Sequence, residues 1–165
     1  MKRQFTILLT LTALFFSCKK EVNSSTDQTS PTEEQTVNVR EVLTKQPWKL
    51  KQIRALLGNT LSYYLRDGQS NTVNFDKEYI SLKTDKTGTY FNGDSAYVIT
   101  SWDFKDAALS SLVYNVAYRG ENVPVTWENL KVTADSISYS EFFTRNGQTA
   151  LSVATRIPTT VSNPQ

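Results

Sequence analysis

Turn-forming clusters punctuate this chain at intervals too short for helices: Gly58-Asn59, Asp67-Gly68, Asp85-Lys86-Thr87-Gly88, Asn92-Gly93-Asp94, Arg119-Gly120 and Asn146-Gly147. Asn and Gly tolerate the positive φ that two-residue hairpins require, so Asn92-Gly93 and Asn146-Gly147 each predict an antiparallel strand pair. Punctuation at this spacing is the pattern of an all-β domain built by hairpins.

The segments between the turns alternate as strands do. Ala96 to Phe104 is the clearest, with Tyr97, Ile99 and Ser101 on one face and Val98, Thr100, Trp102 and Phe104 on the other. Leu109 to Tyr118 follows, carrying Leu112, Tyr114, Val116 and Tyr118 on one side. Shorter strands are expected at Tyr79–Leu82, Thr89–Phe91, Asn129–Val132, Ser136–Phe143 and Thr149–Ile157. The first strand begins at Trp48 and runs to about Leu56; Trp48, Leu50 and Leu56 share a face, and Ile53 and Ala55 break the alternation. Residues 58–76 read as irregular. Before the strands, Val39, Val42 and Leu43 have the spacing of a short amphipathic helix over Val39–Lys45, with Asn38 as N-cap and Pro47 ending it. Roughly eight strands joined by tight turns imply an antiparallel up-and-down meander, and closing it into a barrel removes the exposed edges.

Composition narrows the chemistry. The 165 residues contain no histidine and one cysteine, Cys18, so disulfides, thiolate or imidazole metal sites and Ser-His-Asp or Cys-His catalysis are excluded. No cofactor and no metal are expected, and stability must come from packing. Removing Lys2 and Arg3 with the N-terminal segment leaves 16 basic against 16 acidic side chains. That balance gives no basic footprint for nucleic acid, whose affinity rests on counterion release.

The first 17 residues form a separate unit. Met1-Lys2-Arg3 supplies a positive start, and Phe5 to Phe16 is apolar apart from threonines, about a dozen residues against the roughly 20 that a membrane-spanning helix needs. This is the pattern of a cleaved signal peptide. Leu14-Phe15-Phe16-Ser17-Cys18 resembles a lipobox, with Phe15 in place of the more usual Leu. The resemblance implies a bacterial lipoprotein with Cys18 as the acylated first residue of the mature chain, palmitate among the chains that hold it to the membrane. The alternative is an ordinary secretory signal that contains a cysteine. Lys19 stands where Asp would resemble an inner-membrane retention signal, so the expected location is the cell outer membrane, facing either the periplasm or the outside. Residues 18–36 then form a polar tether, too poor in apolar residues to order itself, with a typical reach of about 25 Å for about 20 residues. The domain spans 37–158, and 159–165 form a flexible tail.

Three segments carry a resemblance to the bacterial lipocalin-like lipoprotein domains: Leu43-Thr44-Lys45-Gln46-Pro47-Trp48-Lys49-Leu50, Asp85-Lys86-Thr87-Gly88-Thr89-Tyr90 and Ser101-Trp102-Asp103-Phe104. It covers about residues 38–157, although Pro47 stands where such domains often carry Gly. The resemblance implies a lipocalin-like barrel with Trp48 closing one end and a small hydrophobic ligand. It implies no reaction, and fold alone licenses none.

Candidate sites follow from residue type. Aromatic side chains serve equally as core or as a lining for apolar and sugar-like ligands. Trp48, Trp102 and Phe104 are assigned to packing, and Tyr63, Tyr64 and Trp127, near irregular segments, are the candidate ligand-binding rim. Asp85, Asp94, Asp103 and Asp106 fall in or beside turns, where carboxylates cap their own backbone. Asp94-Ser95-Ala96 and Asp135-Ser136-Ile137 resemble a short bacterial O-glycosylation motif, making Ser95 and Ser136 candidate acceptors. The expected function is a lipid-anchored envelope protein that binds a small apolar or sugar-like ligand and is not an enzyme; the alternative is a structural or protein-interaction module without a ligand.

Overall fold

The computed structural model describes residues 38–145 and 147–160. The signal, Cys18, the tether and most of the C-terminal tail lie outside the described residues. Helix α1 (Val39–Lys45) precedes nine strands: β1 (Trp48–Leu57), β2 (Thr60–Leu65), β3 (Tyr79–Leu82), β4 (Gly88–Phe91), β5 (Ala96–Phe104), β6 (Leu112–Tyr118), β7 (Glu121–Val132), β8 (Ile137–Arg145) and β9 (Gln148–Pro158). The helix starts where Asn38 Oδ1 accepts the Glu41 amide at 3.3 Å, as its sequence position predicts.

All pairings are antiparallel, and β1 pairs β9, so the meander closes into an eight-strand barrel. The ninth strand is β2. Along one edge of β1, Trp48 and Lys49 pair β3, while Gln52 to Leu57 turn through Gly58-Asn59 and pair β2. The stretch expected to be irregular therefore contains a hairpin. It escaped the alternation because Thr60, Leu61 and Leu65 are only slightly covered or exposed, and Tyr64 alone is buried. β7 is also far longer than Asn129–Val132. It starts directly after a tight turn at Arg119 (φ 51°) and Gly120 (φ 85°). Pro124 obscured it, yet sits where β8 has not begun to pair with β7, so no amide is missed there.

Three β-bulges decide which side chains enter the barrel. Lys51 is an extra residue against β9, which puts Trp48 and Leu50 inside and then Ile53 and Ala55, leaving Leu56 outside rather than on the Trp48 face. Thr100 does the same in β5, so Tyr97 and Ile99 share the interior with Trp102 and Phe104 instead of opposing them. Asn129, with φ of 53°, leads the third bulge, in β7, and brings Leu130 inside after Trp127.

The barrel has two unlike ends. At one, α1 lies over the core through fully buried Leu43, and Trp48 Nε1 donates to Leu43 O at 3.2 Å, satisfying a carbonyl at the helix C-terminus. Lys86 and Arg40 both reach Asp103 there, at 2.6 and 3.1 Å, and Lys86, the Phe104 amide and Arg40 together hold the Asp103 carboxyl down at about 2. At the other end the four hairpins β1–β2, β4–β5, β6–β7 and β8–β9 turn with no helix across them among the described residues. On the outer wall, Leu61, Leu56, Leu151 and Phe142 stand side by side across β2, β1, β9 and β8. Leu61 is 67% exposed, and Val153 beside this row is 61% exposed.

One close approach is diagnostic of the closed wall. A Cβ on Gly88 would lie 2.3 Å from the Ser81 carbonyl oxygen on β3. Gly88→Ala should therefore cost about 1–3 kcal/mol, the usual range for overpacking. A urea midpoint shifted by less than a few tenths of that would show the β3–β4 approach to be looser than described.

Candidate functional site

The inward positions of β9 run Ala150, Ser152, Ala154 and Arg156, three small residues followed by a long cation. Arg156 is only 3% exposed and lies at the closed end. Its Nη2 donates to Glu78 Oε1 at 2.7 Å and its Nη1 to Glu78 Oε2 at 3.0 Å, a bidentate pair. Nη1 also donates to Trp48 O at 3.1 Å and Nε to the Tyr139 hydroxyl at 2.6 Å. Glu78 accepts the Leu50 amide as well, at 3.3 Å, beside the β1 bulge. Burial works against the charge of Arg156, but Glu78 outweighs it and holds the guanidinium firmly protonated. Trp127 and Tyr139 stack 4.0 Å apart, with the guanidinium 5.7 and 5.9 Å from their ring centres. This layer is the floor of the lumen.

Above it stands a second carboxyl. Glu141 follows Tyr139 on the inward face of β8, and its Oε2 accepts from Trp127 Nε1 at 2.7 Å and from the Tyr114 hydroxyl at 3.3 Å. Burial raises its pKa above the usual carboxyl value, only partly offset by the Trp127 bond and by Arg156. Oε1 has no donor among the described residues. Ser152, directly across from Glu141 on β9, is 5% exposed, and its Oγ is buried without a partner. Such an unmade bond costs about 1–3 kcal/mol in a protein interior.

Opposite this pair, Tyr90, Tyr97 and Tyr118 form a ladder across β4, β5 and β6, with ring centres 6.3 and 5.7 Å apart. Burial also lifts the Tyr90 hydroxyl well above its ordinary pKa. Glu141, Tyr97 and Tyr118 point inward by register, yet each is partly exposed, so solvent reaches them through the end away from α1. The inward side chains are fully buried at the floor and partly exposed above it.

The expected rim residues do not meet. Trp127 and Tyr64 are fully buried rather than at a rim, Trp127 in the floor and Tyr64 on β2, donating to Asp76 at 2.8 Å. Burial, then that bond, push the Tyr64 hydroxyl up to about 12. Tyr63 is on the outer wall under the Arg54 guanidinium, 5.8 Å from its ring centre. Trp48 is fully buried at the closed end, as packing requires. Ser95 lies in the β4–β5 turn at the open end and Ser136 in the β7–β8 turn at the closed end, where its Oγ is 3.0 Å from Thr133 Oγ1. Asp85 and Asp106 cap Thr87 and Ser110, the turn role expected of them. No cluster of possible metal ligands occurs among the described residues. Two clefts, of about 330 and 340 Å³, lie outside the lumen, one along Asn71–Asp76 and one between α1 and the β3–β4 turn.

Glu78, Arg156, Glu141 and Ser152 carried a faint signal. Glu141 has the same strand parity as Ile137 and Tyr139, a charge on an otherwise apolar face. In β9 the parity misleads, because Leu151 and Val153 face out while Ser152 and Arg156 face in.

Two outcomes are expected. Arg156→Met strands the Glu78 carboxylate and should cost about 3–5 kcal/mol in urea unfolding, whereas Arg156→Met with Glu78→Leu should recover most of it; equal losses in both variants would contradict the pairing. Because the folded chain holds the Glu141 proton above 4.5, where the unfolded chain releases it, stability should fall as pH rises from 4.5 to the folded pKa. Glu141→Gln should remove that slope in a series of urea midpoints, and an unchanged slope would assign it elsewhere. No family model, no curated protein and no solved structure matches this chain.

Proposed function

We propose that this chain is a lipid-anchored protein of the bacterial cell envelope, held in the outer membrane through Cys18, whose barrel admits a small ligand at its open end. The observation that carries the binding part is the exposure of inward-facing side chains at the end away from α1. There the inward-facing Tyr97, Tyr118 and Glu141 are each partly exposed. Aromatic faces with a few convergent polar groups suit a ligand with an apolar or sugar-like ring. The anchoring part rests on the lipobox-like residues Leu14 to Cys18.

The alternative is an interaction module of the outer membrane with no small ligand. The outward row Leu61, Leu56, Leu151 and Phe142 favours it, since adjacent exposed apolar side chains are a common basis for protein contacts. In this case Leu61→Lys with Leu151→Lys abolishes a crosslinked partner and leaves the lumen untouched.

Each part has its own test. Cys18→Ser should release the chain from the membrane fraction and abolish labelling by radioactive palmitate; a labelled or membrane-bound variant would contradict the anchor. Titration of the full chain with 2-phenylethanol and with methyl glucoside, followed by tryptophan fluorescence, should give a saturable change for at least one of them. Ala150→Phe, which fills the open half, should abolish it. Absence of saturation, or saturation that survives Ala150→Phe, would remove the lumen as the site.

A further inference from the structure

The outer wall of the barrel is sorted by charge as well as by polarity. At the end away from α1, the outward side chains of β2, β1, β9 and β8 form the row Leu61, Leu56, Leu151 and Phe142. Leu57 at the β1–β2 hairpin is also exposed, and the next row along the strands is Tyr63, Arg54 and Val153. Lys51 and Lys49 follow on β1 toward the closed end. The described outward side chains of these four strands therefore include Arg54, Lys51 and Lys49 and no carboxylate. None of the three cations has an ion pair among the described residues. Beyond residue 17 the chain balances 16 basic against 16 acidic side chains, so this one-signed wall is a segregation and not a surplus.

The shape of the wall limits what can cover it. A closed barrel is convex, so a second convex wall would touch it only along a line. Leucines and a valine that are 41–67% exposed offer well short of the roughly 800 Å² per partner of a stable protein interface. A bilayer surface yields to a convex shape. Its headgroup layer accepts tyrosine and arginine, its hydrocarbon boundary accepts leucine, and anionic headgroups answer unpaired Lys and Arg. The chain ahead of α1 adds a second argument. β1 covers about 25 Å from Trp48 to Leu56 at about 3.3 Å per residue. The polar segment 18–36 leads toward α1, at the Trp48 end, with a typical reach of about 25 Å. A tether whose reach matches the span gives the highest effective concentration, so a contact too weak to hold a free protein is enough to orient an anchored one.

We propose that the outer wall of β2, β1, β9 and β8 lies on an anionic lipid bilayer, with Leu56, Leu57, Leu61 and Leu151 at the hydrocarbon boundary and Arg54, Lys51 and Lys49 against the headgroups. This rests on the reading of Cys18 as the anchor and adds an orientation to it: the barrel is held side-on to the membrane. The wall alone is a weak contact, so a chain without its acyl groups still leaves the membrane fraction.

The test reconstitutes the acylated full chain in phosphatidylcholine vesicles with and without phosphatidylglycerol. A tryptophan is placed on the wall by Leu61→Trp, or on β5 by Val98→Trp, an exposed position four strands from β9 around the barrel. Lipid with brominated acyl chains should quench the emission added by Leu61→Trp at least twice as strongly as that added by Val98→Trp. The excess should shrink several-fold without phosphatidylglycerol. In the Leu61→Trp chain, Leu56→Glu with Leu151→Glu should abolish the excess, and Lys51→Glu with Arg54→Glu should remove its dependence on phosphatidylglycerol. Flotation with the vesicles and urea midpoints measured in detergent show that these variants are anchored and folded. Chains that float yet are quenched equally at both positions overturn the docked wall and leave the anchor standing. A Leu61→Trp probe out of reach of the brominated lipid, in chains that crosslink to one another or to another protein, assigns the row to a protein partner and overturns the proposal as well. Chains that do not float refute the anchor, and the docked wall falls with it.

Discussion

The Arg156–Glu78 pair is a demanding interaction, because two full charges leave water at the closed end of the barrel. Breaking such a pair is far costlier than never having it, since the surviving charge stays buried. The surroundings are arranged accordingly. Leu50 N, Trp48 O and Tyr139 OH complete the hydrogen bonding, and the Trp127–Tyr139 stack shields the guanidinium from the open half. The pair also joins distant parts of the chain, because Glu78 precedes β3, Trp48 opens β1 and Arg156 is near the end of β9. It sits beside the seam where the meander closes.

That seam explains the uneven distribution of side-chain size. Arg156 needs depth, so the positions above it on β9 and β1 are Ala154, Ser152, Ala150 and Ala55, while the bulk comes from Tyr139 and Trp127 on the adjoining β8 and β7 and from Tyr114 and Tyr90 on β6 and β4. A fully buried floor and partly exposed inward side chains above it accompany this asymmetry. Glu141 lies at the boundary between them, dry enough for its proton to be held and near enough to solvent to be reached.

Much of the fold was legible because hairpin chemistry is local. Asn38 capping α1, the turns at Gly93 and Gly147, and the faces of β6 are all written in neighbouring residues. The bulges at Lys51, Thr100 and Asn129 were not, because an extra residue shows only against the partner strand. Ile53 and Ala55, which looked like breaks in alternation, were the visible trace of the first bulge. The candidate site was hidden for a related reason. Arg156 and Glu78 are 78 residues apart and meet only when the barrel closes, and β9 places its large apolar residues outside. Tyr64 and Trp127 were expected at a rim because they adjoin segments with weak alternation, but β2 and the long β7 carry both into the interior.

If the buried pair divides the barrel into a clamped floor and an openable upper half, native-state amide hydrogen exchange will resolve the two directly. Leu50, Ile80, Tyr139 and Arg156 should exchange only through global unfolding. Leu57, Tyr97, Tyr118 and Phe143 should exchange through smaller openings of markedly lower free energy. Equal protection at both ends, or floor amides that open before those of the upper half, would contradict it.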